Sequence, residues 1–243
     1  MTFFKKVNKK IKKIFLTNTP VAVYDFNKLN PLGGNGERVD IQLNKDIDFD
    51  KLDIYQKNHW RRYEFARDKI EPNHICGDFA CGTGYGSIML ADKAGNVTGV
   101  DVNTEVISTI KERYRHFNTV SFLNENLLNL TFTNHFDSII SFETLEHFDE
   151  ANIIRLFAIF NRALKQNGKL IFSTPYMQEQ SEEAIKMGFH LAFNIDEKKI
   201  ENWLKKAGFK IDCINYQNYD THNVESNLEK KEFIVCVAHS SNK

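Results

Sequence analysis

The feature that most limits the fold of this chain is an alternation of segments, running from about residue 74 to 239. "HICGDF" is a short apolar strand, and Tyr85 to Lys93 then carries the helical pattern of Ile88, Met89, Leu90 and Ala91. "NVTGVDV" is a second strand, followed by a helix from about Thr104 to Phe117. "TVSFL" and "HFDSIISF" are the third and fourth strands, "NIIRLFAIFNRALK" is a helix and "GKLIFST" is the fifth strand. "DEKKIENWLKKAGF" is a helix with Gly208 as its stop, and "KIDCINY" and "EFIVCVAH" read as a closing strand pair. Short apolar strands separated by helices predict an α/β fold with one sheet covered on both faces. The last two strands lack an intervening helix, so one of them is expected to run antiparallel.

The 243 residues suffice for one substantial core, and the expected organisation is a single α/β domain with an appendage. The 32 basic and 32 acidic side chains balance, so overall charge gives no reason to expect a nucleic acid partner. Cys76, Cys81, Cys213 and Cys236 have neither C-x-x-C spacing nor the density of a disulfide scaffold, which points to a reducing, cytoplasmic setting. No apolar run approaches the roughly 18 residues that span a bilayer.

Residues 1–16, "MTFFKKVNKKIKKIFL", place Phe4, Val7, Ile11, Ile14 and Phe15 near helical spacing beside a cluster of lysines. Such a helix can pack on the domain or lie on an anionic membrane surface, so peripheral association with the inner face of a membrane is one expectation. Residues 17–70 read as a turn-rich extension followed by a lid helix from about Asn58, with Trp60, Tyr63, Phe65 and Ala66, ending before Pro72. The main domain is expected over 71–243, with a substrate cover inserted at about 176–195.

"GDFACGTGYGS", Gly77 to Ser87, lies where the first strand gives way to the first helix, the place at which an open α/β sheet takes its ligand. Gly82 and Gly84 allow a tight turn and close backbone approach, and the amides of the new helix favour an anionic group. Asp78 at the strand end can accept from a cationic or N–H group of the same ligand. A Walker loop needs a Gly-Lys-Ser/Thr ending that is absent here. The dinucleotide fingerprint would put its third glycine at Ser87, which weakens a nicotinamide reading. Cys81 has no neighbouring Cys or His set of tetrahedral spacing, so it reads as a small buried residue, and no metal is expected. Asp101 ends the second strand in "GVDV" and suits the two hydroxyls of a ribose, although alone it could serve as a helix cap.

Together, "DFACGTGYG", "VTGVDV", "FLNENLLNL", "FDSIISFETLEHF", "RALKQNGKLIFSTP" and "AGF" resemble the class I S-adenosylmethionine-dependent methyltransferases, over about Arg62 to Phe209. The resemblance implies a doubly wound, Rossmann-like, seven-stranded mixed sheet in the order 3-2-1-4-5-7-6 with strand 7 antiparallel. It implies S-adenosyl-L-methionine as cofactor, with Asp78, Ala80, Cys81, Gly82, Thr83 and Gly84 around the methionyl part. Asp101 and Val102 then serve the ribose strand end, Asn126 and Leu127 lie beside the adenine, and Ser141 and Phe142 form the wall beneath the sulfonium. Ala80 stands where the family commonly has glycine, which is tolerated if its φ is negative, and Asn126 replaces the usual aspartate, keeping an amide for the adenine edge. His59, Arg62, Tyr63 and Ala66, with "STPYM", "GFHLAFN" and "KKAGF", narrow the resemblance to bacterial sugar-modifying and surface-polysaccharide enzymes. There Tyr63 would cover the methionyl end, although it and Trp60 can equally be packing residues, and Tyr176 departs from the asparagine more usual after the STP proline.

Methyl transfer to a hydroxyl asks for exclusion of water, alignment and removal of a proton. Glu146 and His147 follow the fourth strand, and an imidazole is an economical general base. His190, in the cover among Phe189, Leu191 and Phe193, is the second candidate, and Glu143 and Glu146 can orient the loop or the cofactor ammonium. The expected function is methyl transfer, most simply O-methylation, to a small hydroxylated, nucleotide-sugar or glycan acceptor. The rivals are an NAD-dependent oxidoreductase and a non-catalytic binding module.

Overall fold

The computed structural model describes residues 38–43, 47–182 and 190–241. The lysine-rich segment 1–16, most of the extension at 17–37 and the middle of the cover, 183–189, lie outside the described residues.

Seven strands form one sheet in the order β3-β2-β1-β4-β5-β7-β6. They are β1 (Ile75–Phe79), β2 (Asn96–Asp101), β3 (Val120–Asn124), β4 (Phe136–Phe142), β5 (Leu164–Pro175), β6 (Phe209–Gln217) and β7 (Phe233–Ser240). The first five run parallel, and β7 is antiparallel to both β5 and β6, as the helix-free final connection requires. Strand order reverses between β1 and β4, so the loops at their C-terminal ends border the crevice in which such sheets place a ligand.

Five helices cover the sheet among the described residues: α1 (Ile54–Lys69), α2 (Tyr85–Ala91), α3 (Thr104–Arg113), α4 (Glu150–Ala163) and α5 (Glu197–Lys206). Alternate strand residues feed opposite layers: Ile139, Leu170 and Phe172 join the cluster containing Phe157 and Trp203, while Ile140 and Ile171 join the one containing Ala66 and Met89. The Phe79 ring meets Phe136 at 5.4 Å and 88°, and Phe160 at 5.2 Å. Truncating a buried Phe of this kind costs about 3–5 kcal/mol, so the glycine turn begins directly after one of the firmest anchors of the core.

Four of the five helix starts are set by side-chain caps, the exception being α2, which follows Gly84. Asp53 accepts from the amides of Tyr55 and Gln56, while Gln56 Oε1 accepts from the Asp53 amide. This capping box starts α1 at Ile54, ahead of the Asn58 expected from spacing alone. Asn103, Asp149 and Asp196 cap α3, α4 and α5. At the other end of α5, Gly208 takes φ of 80°, and Asn161 Nδ2 donates to the carbonyls of Ala207 and Gly208. The helix expected to run through Lys165 ends instead at Ala163, because Leu164 already pairs with Phe136 and Lys165 reaches across to Asp137 at 2.8 Å.

Ala80 corrects an expectation. Its φ is +62°, not negative. The turn after β1 needs a left-handed residue here, a conformation that costs a side-chain-bearing residue roughly 1–2 kcal/mol. Ala80→Gly should therefore raise unfolding free energy by about 0.5–1 kcal/mol, the strain relief exceeding the added freedom of the unfolded chain. Urea denaturation checks this, and a loss of stability would contradict the turn geometry.

Candidate active site

The glycine turn is tied to the neighbouring strand by its backbone. The Cys81 amide donates to the Val100 carbonyl at 3.0 Å, and the Gly82 amide donates to Asp101 Oδ2 at 3.1 Å. The other Asp101 oxygen accepts from the Asn103 amide at 2.9 Å. Gly82 has φ of +52°, and among the described residues, its chain neighbours aside, no atom lies within 4 Å of the place a Cβ would occupy. Open space therefore adjoins a backbone turn and a carboxylate, which suits a ligand approaching the main chain closely. Gly84, at φ +76°, is constrained differently, since a Cβ there would meet Phe122 and Ile110 at 3.0–3.1 Å.

Burial pushes the Asp101 carboxyl above its ordinary range, with the Asn103 amide, Arg38 and the Gly82 amide opposing the shift. Arg38 lies 3.8 Å from Asp101, Asp40 forms a two-pronged ion pair with Arg113, and the Thr83 hydroxyl donates to the Val39 carbonyl at 2.9 Å. Residues 38–40 thus form a strap across the glycine turn. Sequence reading missed it, because its anchors lie in three distant parts of the chain. Val102, beside Asp101, is 64% exposed and offers an apolar surface at the sheet edge. Asn126 Oδ1 accepts from the Leu128 amide, which leaves the NH2 group as a donor, and Leu127 is buried in the core.

Asp78 is fully buried under the lid helix. Its carboxylate accepts from the Tyr63 hydroxyl at 3.1 Å and from the Ser87 hydroxyl at 2.6 Å. Ser87, the residue that interrupts the dinucleotide pattern, therefore serves to satisfy this carboxylate. The Tyr63 ring packs edge-on against Tyr85 and Phe142, and it lies so close to Gly86 that a Cβ there would sit 1.9 Å from the ring. Tyr63 thus closes over the glycine turn and is itself a packed residue. Burial pushes the Cys81 thiol well above its ordinary value, which keeps it protonated and unreactive.

The lid helix is fastened by Arg62, 1% exposed, which pairs with Glu143 at 2.7 Å, donates to Ser173 Oγ at 2.9 Å and stacks on Phe233 at 4.5 Å. Glu143 also accepts from the Ser173 hydroxyl at 2.7 Å and holds φ of +50°. Its carboxylate is committed to orienting the lid. Ser141 is fully buried and donates to Thr144 Oγ1.

Beyond β4, Leu145–His147 form a single 3-10 turn. The Glu146 carbonyl accepts from the amides of Leu191 and Ala192, pinning the cover to this turn. That pinning brings together two histidines the sequence could only list separately, with ring centroids 5.1 Å apart. Glu146 is 1% exposed and accepts from the Thr174 hydroxyl. Burial, reinforced by His147, pushes His190 down to about 3, so its imidazole is neutral near pH 7.

Residues 77–168 match the family model described as a methyltransferase domain. A Mycobacterium tuberculosis protein named as a probable S-adenosylmethionine-dependent methyltransferase is 31% identical over 130 residues, covering 51% of this chain and 44% of that protein. The demethylmenaquinone methyltransferase of Lactobacillus johnsonii is 27% identical over 191 residues, 75% of each chain. The N-methyltransferase NodS of Bradyrhizobium japonicum, solved with S-adenosyl-L-homocysteine, superposes with a TM-score of 0.61 at 14% identity, covering 80% of this chain and 91% of that one. The chain spans less than half the length of the first curated relatives it matches. The seven-stranded mixed sheet is thus the Rossmann-like methyltransferase fold, in the strand order the sequence resemblance implied.

The buried carboxyl of Asp78 yields a pH signature. Burial raises it to about 6, against the pull of the Ser87 and Tyr63 hydroxyls. The folded state therefore binds more protons than the unfolded one between about pH 4 and 6, and this group's contribution to stability is lost as pH rises through that window. At about 1.4 kcal/mol per unit, the loss is on the order of 2–3 kcal/mol. Asp78→Asn, which cannot titrate, should flatten that part of the stability profile in urea melts at a series of pH values. An unchanged slope would remove Asp78 as its source.

Proposed function

We propose that this chain is an S-adenosylmethionine-dependent methyltransferase acting on a small hydroxylated acceptor. The observation that carries the reading is the open space at Gly82 beside the Asp101 carboxylate, at the switch point of the sheet. Bound there, the cofactor would supply a methyl group already activated by a sulfonium. The chain's own part is to hold, align and keep dry.

Asp101 would accept from the ribose hydroxyls, a contact for which Arg38 is positioned as a competitor or a cover. Val102 offers an apolar seat for the adenine, and the Asn126 amide a donor for its edge. The turn from Ala80 to Gly84, closed by Tyr63, would enclose the methionyl part. Asp78 acts from below, holding Tyr63 and Ser87 in place. Ser141 and Phe142 form the wall nearest the acceptor.

The acceptor hydroxyl is handled at Glu146, His147 and His190. His190, lowered to about 3, is too weak a base to take the hydroxyl proton, so its contribution is placement, and His147 is left as the candidate base. A polar cluster at this edge fits a sugar-like acceptor. The relatives named for demethylmenaquinone and 2-phytyl-1,4-naphthoquinone favour a second class of acceptor, the naphthoquinones. Assays with both kinds of acceptor and labelled cofactor separate the two.

Calorimetry should show S-adenosylhomocysteine binding in preference to NAD, and equal or tighter NAD binding would sink the reading. Asp101→Ala should weaken the former by roughly 1.5–3 kcal/mol, the worth of a charge-assisted hydrogen bond. With the acceptor in hand, His147→Ala should lower turnover by about 10²–10⁴-fold while leaving cofactor affinity unchanged. A near wild-type single-turnover rate would dismiss His147 and leave proximity and desolvation to carry the transfer.

A further inference from the structure

Glu146, His147 and His190 each offer one donor atom, and these three atoms all lie within 4.8 Å of one another. A tetrahedral zinc ion with bonds of about 2.0–2.1 Å sets its donors about 3.4 Å apart. Closing on an ion therefore asks for side-chain adjustment of little more than roughly 1 Å. The backbone that carries the donors is already fixed. Two amides of the cover bond the Glu146 carbonyl, and the 3-10 turn places His147 directly after Glu146.

The surroundings have the character of a second layer around metal ligands. His190 Nδ1 lies 2.9 Å from Gln178 Oε1, which can only accept, so Nδ1 carries the proton and Nε2 keeps its lone pair. The Thr174 hydroxyl donates to Glu146 Oε2 at 3.2 Å, orienting the carboxylate. Glu146 is 1% exposed, unlike the surface acids that gather without any ion. A divalent cation bound here would offset the cost of burying the Glu146 carboxyl group.

We propose that Glu146, His147 and His190 bind one divalent transition-metal ion, zinc in character, with a coordination position left for an oxygen of the acceptor. Two imidazoles and one carboxylate are a donor set that suits such an ion and leaves the site open. The metal site stands on these residues alone, whereas its role rests on the methyltransferase reading. In that role the ion acidifies the coordinated hydroxyl, whose proton leaves to solvent. The oxygen then forms its bond to the methyl carbon as the carbon–sulfur bond breaks, releasing S-adenosylhomocysteine. With the ion bound, His147 is a ligand in place of the general base assigned to it above, its replacement lowers turnover through loss of the ion, and no oxidant or reductant enters.

The test uses the full, untagged chain, stripped with a chelator and titrated with cobalt(II), then with zinc by calorimetry. One equivalent of cobalt should bind and give the visible bands of a low-coordinate nitrogen and oxygen site. Glu146→Gln and His190→Ala should each weaken binding by at least about a hundredfold, and Gln178→Ala by about 10–100-fold through the lost orientation of His190. Thermal melts of the variants establish that they are folded. The absence of saturable one-to-one binding, or binding that survives both ligand substitutions within about threefold, would overturn the site. S-adenosylhomocysteine is titrated into the same samples. Its binding without metal binding overturns this inference alone, and metal binding without it overturns the methyltransferase reading while the site stands.

Discussion

The hydrogen bond from the Gly82 amide to the Asp101 carboxylate joins the ends of β1 and β2, and the rest of the site is arranged around it. It turns the glycine segment toward the strand edge while leaving clear the volume where a Cβ of residue 82 would lie. Burial makes the Asp101 charge costly, and the Asn103 amide and Arg38 offset part of that cost. A ligand that brings two hydroxyls to this carboxylate would offset more. The chain thus holds a polar group at some expense where a nucleoside cofactor would use it.

Two further clamps set the other walls. Arg62 fastens the lid helix to Glu143 and Ser173 across the ends of β4 and β5, which carries Tyr63 over Gly86 and down to Asp78. The Glu146 carbonyl fastens the cover to the turn after β4, which carries His190 to His147. In each case an ion pair or a pair of backbone hydrogen bonds fixes a segment remote in sequence. The side chains of the candidate site then follow from short-range geometry.

The sheet was legible because its signals are local. Short apolar runs, Gly208 after α5 and the helix-free link between β6 and β7 each act within a few residues, and the observed strand order agrees with the one implied by resemblance. Helix boundaries were less legible, since the start of α1 depends on the Asp53 and Gln56 capping box and the end of α4 on the pairing of Leu164 with Phe136. The positive φ of Ala80 was hidden, because alanine carries no sign of the left-handed position it fills. Arg38 beside Asp101, Arg62 with Glu143, and His147 with His190 were beyond reach for a different reason. Each is a tertiary contact between segments whose individual patterns say nothing of their partner.

The most direct test of the account is a crystal structure of the full chain with S-adenosylhomocysteine. The account predicts the ligand against Gly82, with its ribose hydroxyls on Asp101 and its adenine between Val102 and Asn126. A ligand bound elsewhere, or an Asp101 that contacts only protein groups while the ligand is present, would contradict it.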